Sequence, residues 1–460
     1  MAAYYSDDVY GSQMDVEMAG VGDDDDDDTQ GSNQSGDSSQ ESAESAEAVR
    51  RFFTATPRFR YIRTLATGSS AAPMLFSEHE VVEDQGGGSG QAGKDDKGED
   101  REKKYKSGRM KRRIVVKSAA QSTYDGDVRN EKRWMDALAG SEHLIASIDL
   151  GLDTGVLKRQ MVVMEYVANG DLTEFSGRME EYQEKKEVKV VVPNRVLWRF
   201  FLCLTRAVIG MAYPQRSTNP NFASNDGTIW REEIPEGDVT PTLMIHGDMH
   251  FGNLLLGDVT LGDEEHDLTP ILKLTDFGES RTIPEEPETG IWTAVANQIG
   301  EAAVVIMMLG EVRDYWDNDA DGDEYRYPDD DPNGQAGRET VTLANTQWAA
   351  ADVSPALKAF VYWCLDTEQE HRPTLKKVLE TCQTAVRTLT DKDFGNQGPN
   401  ETDAAVRAFI QKFVYDADSE GEMQAPRRRD LTRSSPTRRA RRAWRRFQRL
   451  RRGVGSGPPP

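Results

Sequence analysis

The sequence predicts an α+β chain in two unequal lobes, a β-rich small lobe followed by a mainly helical large one. Three observations carry this. First, short β-rich runs gather in the first third, at 58–76, at R-R-I-V-V-K (112–117) and near 160–166, with one helical pattern between them at 127–139. Second, helical patterns dominate afterwards, led by the almost continuously apolar run at 194–212, which should be buried on every side. Third, only 37% of the 460 residues are hydrophobic and the net charge is −23. That deficit sits in particular stretches, which leaves one large domain with tails and insertions.

The elements follow in order. Residues 1–48 carry fourteen acidic groups and no Lys or Arg, including the run Asp23 to Asp28. Such a segment buries too little apolar surface to offset its ordering entropy, so 1–56 is expected to be a disordered acidic tail. The small lobe is placed at 57–166 and the large lobe at 167–390. Polar, disordered insertions are expected at about 81–109, 214–240 and 311–340. Within 58–76 the pattern is strand, turn, strand, around the small-residue stretch A-T-G-S-S-A-A at 66–72. Strands are also expected near 144–151 and at Leu243–Ile245, Leu254–Leu256 and Ile271–Leu274. Asn194 is a candidate N-cap for the apolar helix. Later helices are expected at 292–310, 354–365 and 374–389, with a short one at 402–414. A C-terminal tail is placed at 391–460.

Composition excludes several classes. The acidic balance speaks against general nucleic-acid binding. Cys203, Cys364 and Cys382 show no C-x-x-C spacing, which argues against a disulfide framework or a zinc site and for a reducing compartment. No run of 18 apolar residues exists, so no membrane span is expected, and the expected location is cytoplasmic or nuclear. The run from Asp317 to Gly322 resembles the opening of a calcium loop, but Pro328 stands where a bidentate Glu is needed.

The chemistry concentrates in two motifs. H-G-D-M-H-F-G-N at 246–253 follows one apolar strand, and D-F-G at 276–278 follows another. Mg²⁺ is a hard cation that takes oxygen ligands. Asp276 and Asn253 would supply them, and Asp248 would accept or orient the proton of an attacking hydroxyl. An Asp and an Asn five residues apart on one loop, beside a second Asp at a strand end, assemble such a site.

Over residues 57–390 this set resembles the protein-kinase-like superfamily, and the layout is similar to kinase-domain proteins of filamentous fungi. The family's H-R-D-x-x-x-x-N maps onto His246, Asp248 and Asn253, with Gly247 in place of Arg. The resemblance implies a bilobal protein-kinase-like fold and Mg²⁺-dependent use of ATP. It implies that Lys117 holds α- and β-phosphate oxygens, with Glu131 as its ion-pair partner. It implies that Met164 backs an adenine pocket, with backbone groups around Glu165 to Val167 pairing with the adenine edge. Ala66 and Gly68 fall in the phosphate-covering loop. R-P-T at 372–374 implies a pair between Arg372 and Glu285.

The family pattern is broken at several points. Ala66, Gly68, Ala71 and Pro73 occupy the glycine-loop positions, so one glycine survives. Gly247 removes the arginine that meets an activation-loop phosphate. The segment from Asp276 to Glu285 is short, with Ser280 and Thr282 its only hydroxyls. His250 stands where lysine is usual, and H-G-D-x-H is similar to aminoglycoside and choline kinases. Val295 replaces an aspartate that anchors the catalytic loop in the family.

The expected function is phosphoryl transfer from ATP to protein Ser or Thr hydroxyls. A pseudokinase scaffold and a small-molecule kinase are the alternatives. The thirteen arginines of 427–452, with Trp444 and Phe447 among them, read as an RNA or import-receptor contact, a clasp onto the acidic N-terminus, or a solvated tail.

Overall fold

The computed structural model describes residues 34–65, 71–83, 105–157, 159–222, 227–283, 290–310, 323–327, 334–344 and 346–416. Ala66, Gly68, Glu285, the 317–322 run, the hexa-aspartate and the Arg-rich 427–452 lie outside the described residues.

The small lobe is a four-stranded antiparallel sheet in the order β1 (Phe59–Thr64), β2 (Ala71–Glu83), β3 (Tyr105–Ala119), β4 (Met161–Glu165). Strand alternation decides its two faces. On β3, Ile114 and Val116 turn to a cluster with Met74, Phe76 and Leu150. Val115 turns to the other core, next to the face where Lys117 sits.

Helix α1 (Gln34–Thr54) covers the first face, which corrects the expected disorder of 1–56 for this stretch. Phe53 stacks within 5.0 Å of Phe76 and 5.1 Å of Phe59. The Ser45 hydroxyl donates to the Ala119 carbonyl at 3.0 Å, and Glu41 pairs with Arg159. The acidic composition hid a short apolar stripe, Ala46, Val49 and Phe53, which becomes useful only once the sheet is present to receive it.

The other face packs against α2 (Asp125–Ala137). The β2–β3 hairpin continues to the pairs Val81↔Ser107 and Glu83↔Tyr105, so the expected insertion at 81–109 is corrected at both ends. Residues 144–151 form isolated bridges instead of the expected strand, with Leu144 beside Leu274 and Ser147 beside Met164.

The large lobe follows: α3 (Leu172–Lys186), α4 (Asn194–Ala212), α5 (Gln215–Thr218), then the pairs formed by β5 (Met244–Ile245), β6 (Leu254–Leu256), β7 (Leu272–Leu274) and β8 (Arg281–Thr282). After α6 (Gly290–Leu309) come β9 (Asp323–Arg326), β10 (Glu339–Thr342), α7 (Thr346–Ala350), α8 (Pro355–Cys364), α9 (Leu375–Thr388), α10 (Gly398–Glu401) and α11 (Asp403–Ile410). Strands β9 and β10 pair within the expected 311–340 insertion, which corrects it there. Among the described residues no helix is long and apolar enough to cross a membrane.

Helix α4 is the axis of the core, buried at every position except Arg195. Two of its buried residues are arginines, and burying a charge requires a partner. Arg206 meets Glu265 at 2.6 Å, and Arg199 donates to the Glu265 carbonyl at 2.7 Å. Pro193, not Asn194, is the N-cap. The buried Glu401 carboxylate caps the helix instead, accepting from the Asn194 and Arg195 amides at 2.6 and 3.0 Å. A carboxylate at a helix N-terminus meets unpaired N–H groups and the positive end of the dipole. The domain therefore runs on to Tyr415, whose hydroxyl accepts from the Val259 amide at 2.9 Å, past the expected boundary at 390. Residues 227–240 are corrected likewise: Trp230 exchanges backbone bonds with Gly140 and Glu142, and Glu232 is fully buried.

Candidate active site

The site forms where the sheet's inner face meets β6, β7 and their loops. Lys117, on β3, places its ammonium 2.7 Å from Glu131 of α2 and 2.7 Å from Asp276. Burial works against the Lys117 charge, but the two carboxylates outweigh it and hold its pKa above the usual lysine value. Burial pushes the Glu131 carboxyl up to about 7, with Lys117 opposing and Asp276 adding to the rise. Asp276 is pushed up by burial and pulled down more strongly by Lys117, and ends below the ordinary carboxylate range.

Asp276 stands at φ 66°, a left-handed conformation in which a side chain with a Cβ is strained. Phe277, next along, is buried and meets the His246 ring edge-on at 5.1 Å. His246 Nε2 donates to the Thr275 carbonyl at 3.1 Å, and its Nδ1 accepts from the Asp248 amide at 3.3 Å. That pair of bonds requires the neutral imidazole with its proton on Nε2, and burial agrees by depressing the His246 pKa to about 4. His246 thus ties the 246–253 loop to the end of β7.

Asp248 and Asn253 share one loop. Asn253 Nδ2 donates to the Asp248 carbonyl at 2.9 Å and lies 3.3 Å from its Oδ2, which turns the Asn253 carbonyl oxygen away from that carboxylate. Thr275 donates its amide to the Asn253 backbone carbonyl at 3.0 Å, so Asn253 and Asp276 sit on hydrogen-bonded neighbours. Both offer hard oxygen donors, the chemistry Mg²⁺ requires. His250 accepts from the Gly252 amide through Nδ1 at 3.0 Å, and its buried Nε2 lies 3.4 Å from Asp248 Oδ2 without a hydrogen bond.

Gly247 has a structural reason. Its φ is 85°, and a Cβ there would lie 2.7 Å from the Glu279 carbonyl oxygen. An arginine cannot occupy this backbone. Arg372 lies buried, donating to the Ala296 carbonyl at 3.0 Å and the Asp366 carbonyl at 2.8 Å.

On the linker, Met164 is buried and pairs across the sheet with Val115. The Glu165 amide donates to the Ala146 carbonyl at 3.1 Å, and its carboxylate accepts from the Ala146 amide and from Lys273. Glu165 therefore braces the linker, and the expected ligand contact there narrows to its carbonyl. Val167 is half-buried against the core. Ala71 and Pro73 belong to β2, with Pro73 opposite Lys117.

Three positioning residues carry no motif. Asn130, on α2, donates to the carbonyls of Gly278 (2.9 Å) and Ser280 (2.8 Å), and Trp134 donates to Ser280 at 3.0 Å. Their one sequence signal is a pair of donors spaced i, i+4 on the helix that carries Glu131. Gln298 of α6 donates to the Met244 carbonyl at 3.0 Å, so α6 still grips the strand entering the loop although Val295 carries no polar group.

No protein-family model and no curated protein matches the sequence. Among solved structures, the chain is similar to one titled as the CAK complex from Chaetomium thermophilum bound to ATP-gamma-S. That likeness has 15% identity and a TM-score of 0.42, and covers 72% of this chain and 93% of that one. The sheet, the helix packed on it and the helical lobe make this an α+β chain in two unequal lobes, with five polar groups gathered where the lobes meet.

Proposed function

We propose that the chain transfers the γ-phosphoryl group of ATP to a Ser or Thr hydroxyl of a protein. The supporting observation is Lys117 held between Glu131 and Asp276 at 2.7 Å each, facing the loop that links Asp248 to Asn253. A lysine fixed by two carboxylates is a preset cation for phosphate oxygens. Asp248 orients the acceptor hydroxyl and takes up its proton as the oxygen–phosphorus bond forms and the bond to the ADP oxygen breaks. Asp276 and Asn253 are the residues that would hold Mg²⁺, which would supply neutralisation of charge on the transferring group. Positioning of these groups does most of the catalysis in this chemistry.

The linkage of α2 to the D-F-G turn supports activity without a phosphate switch. Asn130 and Trp134 hold the turn, Ser280 donates to the His246 carbonyl at 3.0 Å, and β8 pairs with β5. A small-molecule acceptor is the second reading, favoured by His250 against Asp248. Radiolabelled ATP offered with a Ser/Thr peptide library, and separately with amino-alcohols and aminoglycosides, decides between them. Label entering peptides, and lost in Asp248→Asn, supports the first reading. Label entering only the small alcohols replaces it with the second, and label entering neither removes both.

A further inference from the structure

Away from the cleft, the core of the large lobe holds a second cluster with no part in phosphoryl transfer. His143 follows α2, Cys203 lies on α4, and His266 lies between β6 and β7; all three are buried. One ligand atom from each lies within 4.8 Å of the other two. We propose that His143, His266 and Cys203 form a binding site for a zinc-class divalent ion, with Glu232 as the group that orients His143.

The orientation of His143 carries the case. Glu232 accepts from the His143 amide at 2.7 Å and from its Nδ1 at 2.7 Å, a two-point grip on backbone and ring. With its proton on Nδ1, His143 turns the Nε2 lone pair into the cluster. A carboxylate behind a histidine in this way is the usual support of a metal-ligating imidazole. His143 Nε2 then lies 3.2 Å from His266 Nε2, with the two rings tilted by 50°.

Tetrahedral zinc with ordinary bond lengths spaces two nitrogens about 3.3 Å apart and a nitrogen and sulfur about 3.6 Å apart. Cys203 Sγ stands 4.0 Å from His266 Nδ1. His266 thus faces His143 through Nε2 and Cys203 through Nδ1, and a single ion would take one of these two nitrogens. Without an ion, a proton on His266 Nε2 satisfies His143 but leaves the sulfur at the far limit of an S–H···N contact. One ion satisfies all three. Two imidazoles and a thiolate select zinc or a neighbouring transition metal over the hard Mg²⁺. The ion would staple the loop after α2 to α4 and to the β6–β7 connection.

The test is metal content of the full chain, expressed with added ZnCl₂ and dialysed without chelator. The expected result is about one zinc per chain, lost in Cys203→Ser and in His266→Gln and kept in the control Cys382→Ser. If those variants fail to fold, cobalt substitution of the unaltered protein decides, through a thiolate-to-cobalt charge-transfer band. Folded, reduced protein that takes up neither zinc nor cobalt overturns the site and leaves a proton-linked chain from Glu232 to Cys203. Zinc that survives Cys203→Ser overturns it as well.

Discussion

Two polar networks share this fold and follow different rules. Around α4, Arg206 and Glu265 are 1% and 5% exposed, the helix is regular throughout, and the charges are closed on one another. In the cleft, the Asp276 and Asp248 side chains are 44% and 27% exposed, and the backbone carries positive φ at Gly247 and Asp276. The first network reaches solvent at its rim, where Glu233 meets Arg206. The second keeps solvent-accessible carboxylates, one of them on the strained backbone of Asp276, as expected of groups held for a ligand. Stability should therefore follow the α4 network, and activity the cleft.

That contrast can be broken by substitution. Asp248→Asn should lower phosphoryl transfer by about 10²- to 10⁴-fold while changing stability by less than about 0.5 kcal/mol, read from initial rates and denaturant melts. Glu265→Leu should do the reverse, costing about 3–5 kcal/mol of stability because Arg206 is left buried without that carboxylate. Activity per folded molecule should hold. Equal stability losses in the two variants would erase the distinction between the networks.

Acidification probes the join between catalytic loop and β7. His246 has a folded pKa of about 4 against an unfolded value near 6.5, so the unfolded chain binds the extra proton first. Its contribution is present above about pH 6.5 and is lost as pH falls toward 4. His246→Asn removes the titration and retains an acceptor at the Nδ1 position for the Asp248 amide. Urea melts from pH 7 to 4 should show the unaltered protein losing about 2–3 kcal/mol more than this variant. Parallel curves would contradict a neutral, buried His246.

The smallest effect sharpens the comparison. Asn130→Ala removes two bonds to the D-F-G turn, worth about 1–2 kcal/mol together. It should lower kcat about tenfold, with a stability loss of no more than about 1–2 kcal/mol. A purely structural role would move the melt and spare kcat.

The sequence made the grouping of the candidate site residues legible because each motif pairs a fixed chemistry with a fixed spacing. Lys117, Glu131, Asp248, Asn253 and Asp276 come together from four segments, and alternation along β3 explains why Lys117 points to the cleft. Helix α4 was legible end to end because an almost continuously apolar helix has few alternatives. What stayed hidden depends on partners far along the chain. Glu401 caps a helix 207 positions away from it, and the apolar stripe of α1 needs the sheet to bury it. Gly247 read as a lost arginine, whereas the Glu279 carbonyl that excludes a side chain there lies on a different loop.

The most direct test is a thermal melt of the full chain with ATP, with and without Mg²⁺, alongside Asp276→Asn. Ligand at about 100 times its Kd stabilises by about 2.7 kcal/mol, which raises Tm by a few degrees. The account predicts a rise that requires Mg²⁺ and disappears in Asp276→Asn. No shift at millimolar Mg-ATP, or the same shift in the variant, would contradict a nucleotide site built on Lys117 and Asp276.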